Sequence, residues 1–437
     1  MEPVIEKQGS GYMVTWPSQE VEMKVRHIKP KGFKAQVATR LKGQPVHRSN
    51  PTLDSVNGMD SFARKLNKRR PVDDYGIDWE QVVEDLSGIV IDTYRTGKPA
   101  IKLHDVDLSD NMTWRIDNIV LEKDISLIWA DGGTGKSMFA VFLSVLAQQG
   151  YMSSEHGLVV EPSNVLYLDY ETKEKELGKR TRMIHAGLGL EAFDVAHTNS
   201  SITYNKCEFP LVDEEDYIKD IMWENDINLV VIDSMGRAVG GELESPDSVL
   251  AFFQAVERLD TTVLLISHAN KQGFLFGSAY TSNSARLVWE AKLSGRSERS
   301  MDFSLFCRKA NNVPIQEAQS WGVEFIDGAA VYTRKDVMDT DDAGELSYAE
   351  LVYSIIKEAG NGKTREYIKE VIRDKKKKDT KGYEITSERS DRNTDSAVSK
   401  QKAAGKITED TDGLLSLAIT KQAPEEGSQE EAQWLKI

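Results

Sequence analysis

Residues 130–137 read Ala-Asp-Gly-Gly-Thr-Gly-Lys-Ser, with the apolar run SLIWA leading into Ala130 and the helix-patterned run SMFAVFLSVLAQQ starting at Ser137. A glycine-rich turn between a strand and a helix lets successive backbone N–H groups converge on a phosphate, and the helix N-terminus adds partial positive charge. The spacing is that of a phosphate-binding loop for a nucleoside triphosphate. Asp131, Gly132, Gly133, Thr134, Gly135, Lys136, Ser137 and Met138 are the candidate contacts to ATP. Lys136 would reach the β- and γ-phosphates and Ser137 would ligate Mg2+. Ala130 stands where the pattern asks for glycine, the smallest possible replacement.

Three further apolar runs end in polar groups. Leu229–Asp233 ends in an aspartate, and Asp233 is the second candidate Mg2+ ligand, direct or through water. Val165–Asp169 is followed by Tyr170, Glu171 and Thr172. Hydrolysis needs a carboxylate that orients water in line with the γ-phosphate, and Glu171 is the first candidate. Asp169 is the second, or else it bonds the loop backbone. Val263–Ser267 leads into His268, Ala269, Asn270 and Lys271, where His268 can sense the γ-phosphate and relay its presence to the next loop. That loop carries Phe276, Gly277, Ser278, Ala279 and Tyr280. It suits stacking of single-stranded bases, or else its aromatics are core residues at a hinge. Arg308 and Lys309 end a later strand, where a cation could reach a neighbouring subunit's γ-phosphate or simply be solvated; Arg286 is a further candidate.

These groups need elements to hold them. Between residues 115 and 335 short apolar strands alternate with amphipathic helices over 137–149, 174–186 and 248–259, which predicts a parallel sheet covered on both faces. Its strands' carboxyl ends would then share one crevice. Past Glu290 the pattern turns strand-rich, with a hairpin signal at Asp327-Gly328. Residues 1–50 alternate with period two in three runs, and helices are expected at 55–69 and 78–94. Near the C-terminus three helices (from Tyr348, from Thr364, and over 396–404) lead into two short strands about Asp412-Gly413. The expected organisation is an N-terminal α+β accessory domain (1–100), an ATPase core (101–336), an acidic linker (337–345), a small helical unit (346–420) and a disordered acidic tail (421–437).

The chain has 437 residues, 40% hydrophobic and 29% charged, with formal net charge −15. A field of that sign repels nucleic acid as a whole, so any contact with it must come from local basic patches. Two distant cysteines, Cys207 and Cys307, give neither a disulfide framework nor metal-ligand spacing. No secretory leader or membrane-spanning run is visible, which suggests a soluble chain of the reducing cytosol. Residues 1–100 show no paired-carboxylate metal cluster.

Taken together, the runs ADGGTGKSMFA, LYLDYET with Lys179-Arg180-Thr181-Arg182, VVIDSMGRAVGGELESPDS, LLISHANK, FGSAYTSNSARLVWEAK and CRKANN resemble the RecA-fold, AAA-type helicases of plasmids and phages, the RepA-like hexameric group and its phage-borne branch. The likeness covers residues 115–335. It implies an α/β fold with a RecA-like P-loop core, a ring with ATP between subunits, and single-stranded DNA facing the loops at 236–247 and 272–281. The acidic segment Gly240-Gly241-Glu242-Leu243-Glu244 departs from a DNA-facing loop, and residues 1–100 have no counterpart in the plasmid members. The C-terminal unit resembles a winged-helix domain. Lys400 and Lys402 would lie on its recognition helix, and Lys375–Lys378 and Arg392 would be further DNA contacts; a protein-docking module is the alternative. The expected function is a DNA helicase or translocase of phage or plasmid replication, working with replication partner proteins. A RecA-like strand-exchange filament and a nucleotide-switched regulatory scaffold share the same ATP residues.

Overall fold

The computed structural model describes residues 3–8, 11–29, 32–69, 76–96, 102, 114–153, 156–190, 200–277, 279–311, 313–377 and 384–418. The expected tail at 421–437, residues 97–99, Ser278, Asn312 and Lys378 lie outside them. The chain divides into two compact units: residues 1–290 with 308–315 and 327–331, and residues 291–307 with 316–326 and 332–437.

The first unit opens with an antiparallel sheet in sequence order, β1 (Val4–Gln8), β2 (Gly11–Trp16), β3 (Val21–Lys29), β4 (Lys34–Leu41) and β5 (Gln44–Ser49). Strands β2, β3 and β4 follow the three alternating runs in the sequence. Val21, Met23 and Val25 of β3 are buried while Glu22 and Lys24 are half-buried, as a one-sided sheet requires. Helices α1 (Val56–Arg69) and α2 (Trp79–Thr96) complete this core with Phe62, Leu66, Trp79, Val83 and Val90. Strands β1 and β5 were not foreseen. Both are largely exposed and polar, so they lack the alternation that marks β2–β4.

A short hairpin, β6 (Trp114–Ile116) and β7 (Val120–Leu121), leads into β8 (Ile125–Ala130) and α3 (Lys136–Gln149). A second, β9 (Met152–Ser153) with β10 (Leu158–Val159), precedes β11 (Val165–Asp169), α4 (Glu174–Gly187) and β12 (Ile202–Lys206). Then come α5 (Leu211–Glu224), β13 (Leu229–Asp233), α6 (Met235–Ala238), α7 (Pro246–Glu257), β14 (Thr262–His268), α8 (Ala279–Ser284) and β15 (Leu287–Arg296). The strands run parallel in the order β12-β11-β13-β14-β8-β15. Every residue of β8, β11 and β13 is buried, the mark of a sheet covered on both faces. Asp169 lies opposite Asp233, and His268 opposite Ala130, so the polar strand ends line up along one edge. This is the doubly covered parallel sheet that the strand–helix alternation predicted, and it is consistent with the RecA-like P-loop core that the resemblance implied.

In the second unit β16 (Ser300–Ala310) pairs antiparallel with β17 (Gln319–Ile326) through Ser300↔Glu324 to Leu305↔Gln319. β18 (Ala329–Lys335) follows a turn at Asp327 and Gly328, whose φ values of 49° and 83° are those the Asp-Gly pair favours. The acidic stretch 337–345 folds into two short 3-10 turns, capped by Asp336 and Thr340, with Val337, Met338 and Ala343 buried. Helix α9 (Tyr348–Ala359) starts on a capping box of Ser347 and Glu350, and Thr364 caps α10 (Arg365–Lys375). Helix α11 (Ser387–Ala403) begins nine residues before the predicted Ser396, because its first turns bury Ser390 and Thr394 rather than apolar residues. Strands β19 (Ile407–Glu409) and β20 (Leu415–Leu417) close the unit as an antiparallel pair. Two of its lysines correct the sequence reading. Lys375 donates to the Met338 carbonyl at 2.6 Å, and Lys376 to the carbonyls of Gly344 and Leu346 at 2.8 and 2.6 Å. Both ammonium groups hold the 3-10 turns in place and are not displayed as a basic surface.

Candidate nucleotide-binding site

The phosphate loop grows out of β8. Ala130 is that strand's last residue, buried, with its carbonyl accepting the Ala269 N–H at 2.9 Å. Its backbone is extended, which explains why alanine suffices there. Gly133 (φ 78°) and Gly135 (φ 89°) do need glycine, and Gly135 is the N-cap of α3. Thr134 Oγ1 donates to the Asp131 carbonyl at 2.8 Å and Lys136 Nζ to the same carbonyl at 3.0 Å. Lys136 is buried, which lowers its ammonium pKa; the nearby Asp233, Glu171 and Asp131 charges oppose that fall. A buried ammonium aimed along a nest of amides is a ready partner for phosphate oxygens.

On β13, Asp233 is buried and its pKa is raised by loss of solvent, a rise that the Tyr167 hydroxyl and Ser137 offset in part. Tyr167 donates to Oδ2 at 2.7 Å. Oδ1 accepts no hydrogen bond of good geometry, although Ser137 is near enough to favour the ionised carboxylate. An orphaned, buried carboxylate oxygen beside a serine hydroxyl fits one side of a Mg2+ shell, and phosphate oxygens and water would supply the rest. Among the described residues no cluster of three or more His, Cys, Asp or Glu side chains could enclose a metal. Asp233 and Ser137 fit a cation whose remaining ligands a nucleotide and water would supply.

Glu171 sits on the loop after β11. Its Oε1 lies 3.0 Å from His268 Nε2 and accepts the Ser234 hydroxyl. The His268 bond, then Ser234 and the Lys136 charge, outweigh burial and hold its pKa down at about 2. Asp169 is buried and bonds the loop itself. Its Oδ1 accepts the N–H groups of Glu171 and Thr172 at 2.8 Å each, and its Oδ2 accepts Thr172 Oγ1 at 2.6 Å and the Tyr204 hydroxyl at 3.2 Å. Asp169 thus fixes the loop that carries Glu171. Directly beyond His268, the Phe276 N–H donates to the His268 carbonyl at 3.0 Å, and Asn270 Oδ1 accepts the N–H groups of Gln272 and Phe274. Phe274 is exposed on this turn, and Tyr280 is exposed on α8.

The structure brings Lys136, Ser137, Asp233, Glu171 and His268 together. It does not bring the three candidate cations to the phosphate loop of their own chain. Arg286 lies 3.8 Å from Asp124 and its N–H donates to the Ile125 carbonyl, at the amino-terminal end of β8. Lys309 donates to the carbonyls of Ser282, Asn283 and Ala285 at 2.7, 2.8 and 2.7 Å. Arg308 bonds Glu290 at 2.6 Å. Sequence reasoning missed Tyr167, Ser234 and Tyr204. The available signals were a tyrosine inside an otherwise aliphatic strand and a serine directly after the acidic strand end. The post-β13 segment is also anchored more than a free loop would be: Val239 and Leu243 are buried in the core.

Residues 105–273 match the AAA domain family. Among solved structures, a KaiC-like protein from the hyperthermophilic archaeon Pyrococcus horikoshii OT3 is similar at 17% identity and a TM-score of 0.36, over 51% of this chain and 98% of that one. No curated protein matches the chain. The AAA match, the phosphate loop and the sheet together support an ATPase with a RecA-like P-loop core.

Proposed function

We propose that the chain hydrolyses Mg-ATP to move on single-stranded DNA, as a helicase or translocase of phage or plasmid replication. It would act as a hexameric ring with ATP between subunits, in the cytosol and beside other replication proteins. The observation that carries the reading is the Glu171–His268 contact at 3.0 Å, because His268 is also tied through its carbonyl to the loop with exposed Phe274. A change at the γ-phosphate thus has a two-bond route to a surface able to stack bases. The loops at 236–247 and 272–281 would face the DNA. No helix among the described residues is long and apolar enough to cross a membrane.

In the proposed reaction Lys136 and the loop amides bind the β- and γ-phosphates and neutralise charge that builds up as the terminal bond breaks. Ser137 and Asp233 would hold Mg2+, which polarises the phosphoryl oxygens when bound. Glu171, ionised at neutral pH, accepts a hydrogen bond from the attacking water and orients it. Ser234 and His268 hold the carboxylate, and His268 reports its state to the following loop. Arg286, Arg308 and Lys309 remain candidates for contact with a neighbour's γ-phosphate, a role in which each must leave its present partners.

The test is the ATPase rate with and without single-stranded DNA. Wild type should be strongly stimulated, Lys136→Ala should lose activity, and Glu171→Gln should bind ATP without turning it over. Absence of stimulation by any nucleic acid would overturn the DNA reading while leaving the ATPase intact. One observation favours a second reading, a nucleotide-switched scaffold: the acidic segment around Glu242 and Glu244 is pinned by buried Leu243. That reading expects slow, DNA-insensitive turnover and ATP-dependent partner binding.

A further inference from the structure

Past the carboxyl ends of β11 and β12 lies a cavity of about 460 Å3 lined by Thr172, Lys173, Glu174, Lys175, Tyr204 and Lys206. It is separate from the phosphate loop, which follows β8, three strands further along the sheet. Its lining holds three lysines and one glutamate, in a chain whose formal net charge is −15. The concentration of positive charge runs against the field of the whole molecule. Among the described residues Lys206 meets the carboxylate of Asp169, and at 3.9 Å that ion pair is loose. Asp169 is already engaged by two backbone amides, the Thr172 hydroxyl and the Tyr204 hydroxyl, so it has little capacity left for Lys206. The Tyr204 and Thr172 hydroxyls now donate to Asp169, and a phosphate oxygen would take these donors in its place; lysine stems with a tyrosine ring give the cavity apolar walls.

We propose that this cavity is a second anion site that binds a phosphate ester, distinct from the ATP phosphates. Lys206 and Lys173 supply charge, and Tyr204 and Thr172 supply hydrogen bonds. The phosphate can be borne by a small phosphorylated metabolite or by a polynucleotide backbone, since both present the same oxygens. A phosphate on Lys206 and Tyr204 competes with Asp169 for both groups, and Asp169 is what fixes the loop carrying Glu171. The site therefore sits where its occupancy is felt at the proposed catalytic carboxylate.

The test uses the full-length protein and reads each lysine by itself. Amine-reactive labelling followed by mass spectrometry gives the reactivity of Lys173, Lys175 and Lys206, with exposed Lys42 as the control. The probes are inorganic phosphate, ribose 5-phosphate and an oligothymidylate. The expected result is at least a threefold loss of reactivity at Lys206 and Lys173, with Lys42 unchanged. Protection by ribose 5-phosphate but not by the oligonucleotide identifies a small ligand; protection by the oligonucleotide identifies a backbone phosphate. Lys206→Gln should abolish the protection of Lys173 and Lys206→Arg should keep it, with ATP binding confirming that both variants are folded. No protection by any of the three probes, or protection of Lys173 that survives Lys206→Gln, overturns the proposal.

Discussion

Glu171 is held ionised by neighbours that come from three different strand ends, and that has a measurable signature. Its carboxyl pKa falls from an ordinary 4.5 to about 2 in the folded chain. A depressed folded pKa contributes stability that is present above the unfolded value and is lost as pH falls through the folded one. The melting temperature of wild type should therefore exceed that of Glu171→Gln by its full margin above pH 4.5, and the gap should close toward pH 2. A pH-independent gap would mean that shape, not charge, distinguishes the two. The side chain is partly open to water, so the margin is modest. This residue was legible in the sequence, because the carboxyl ends of strands in an open α/β sheet face the ligand crevice. Its partners were not. His268 lies 97 residues away in sequence. Only the strand order β11-β13-β14 makes them neighbours.

At the scale of elements, the sequence was most readable where burial is complete. The boundaries of β8, β11 and β13 follow directly from their unbroken apolar runs. It was least readable where burial is partial. The edge strand β12 reads ITYNK and is only half-buried, and α5 carries Asp213, Glu214, Glu215 and Asp216 in its first turns. The segment after β13 offers a test of how tightly an element is set. Gly240 has φ 71°, and a Cβ there would come 2.2 Å from Pro210 Cγ. Left-handed backbone strain of roughly 1–2 kcal/mol, plus overlap of about 1–3 kcal/mol, should make Gly240→Ala destabilising by about 2–4 kcal/mol in urea unfolding. Gly132 is the contrast, since a Cβ there meets no protein atom within 4 Å. Gly132→Ala should leave the urea midpoint unchanged and weaken ATP binding instead. Equal midpoints for the two variants would show that the segment yields freely.

For the whole molecule, the charge of −15 sets how DNA can be approached. Attraction has to be local, so each cation that truly meets a phosphate should be visible in the salt dependence of binding. Lys400 is exposed on α11. If that helix lies on duplex DNA, Lys400→Gln should reduce the slope of log K against log salt by about 0.9, the value for one lost phosphate contact. An unchanged slope would favour the protein-docking role for the C-terminal unit. One feature of the N-terminal sheet bears on motion. Arg26 lies 2.9 Å from Asp220, and the adjacent His27 lies 3.2 Å from Asp216, one helical turn earlier on α5. Two neighbouring residues grip a single helix at successive turns, as two bolts fix a bracket. A single pair would act as a pivot, whereas two pairs oppose rotation of the sheet about α5. A displacement of α5 is thereby expected to carry the N-terminal sheet with it, and loss of either contact would leave a single pivot.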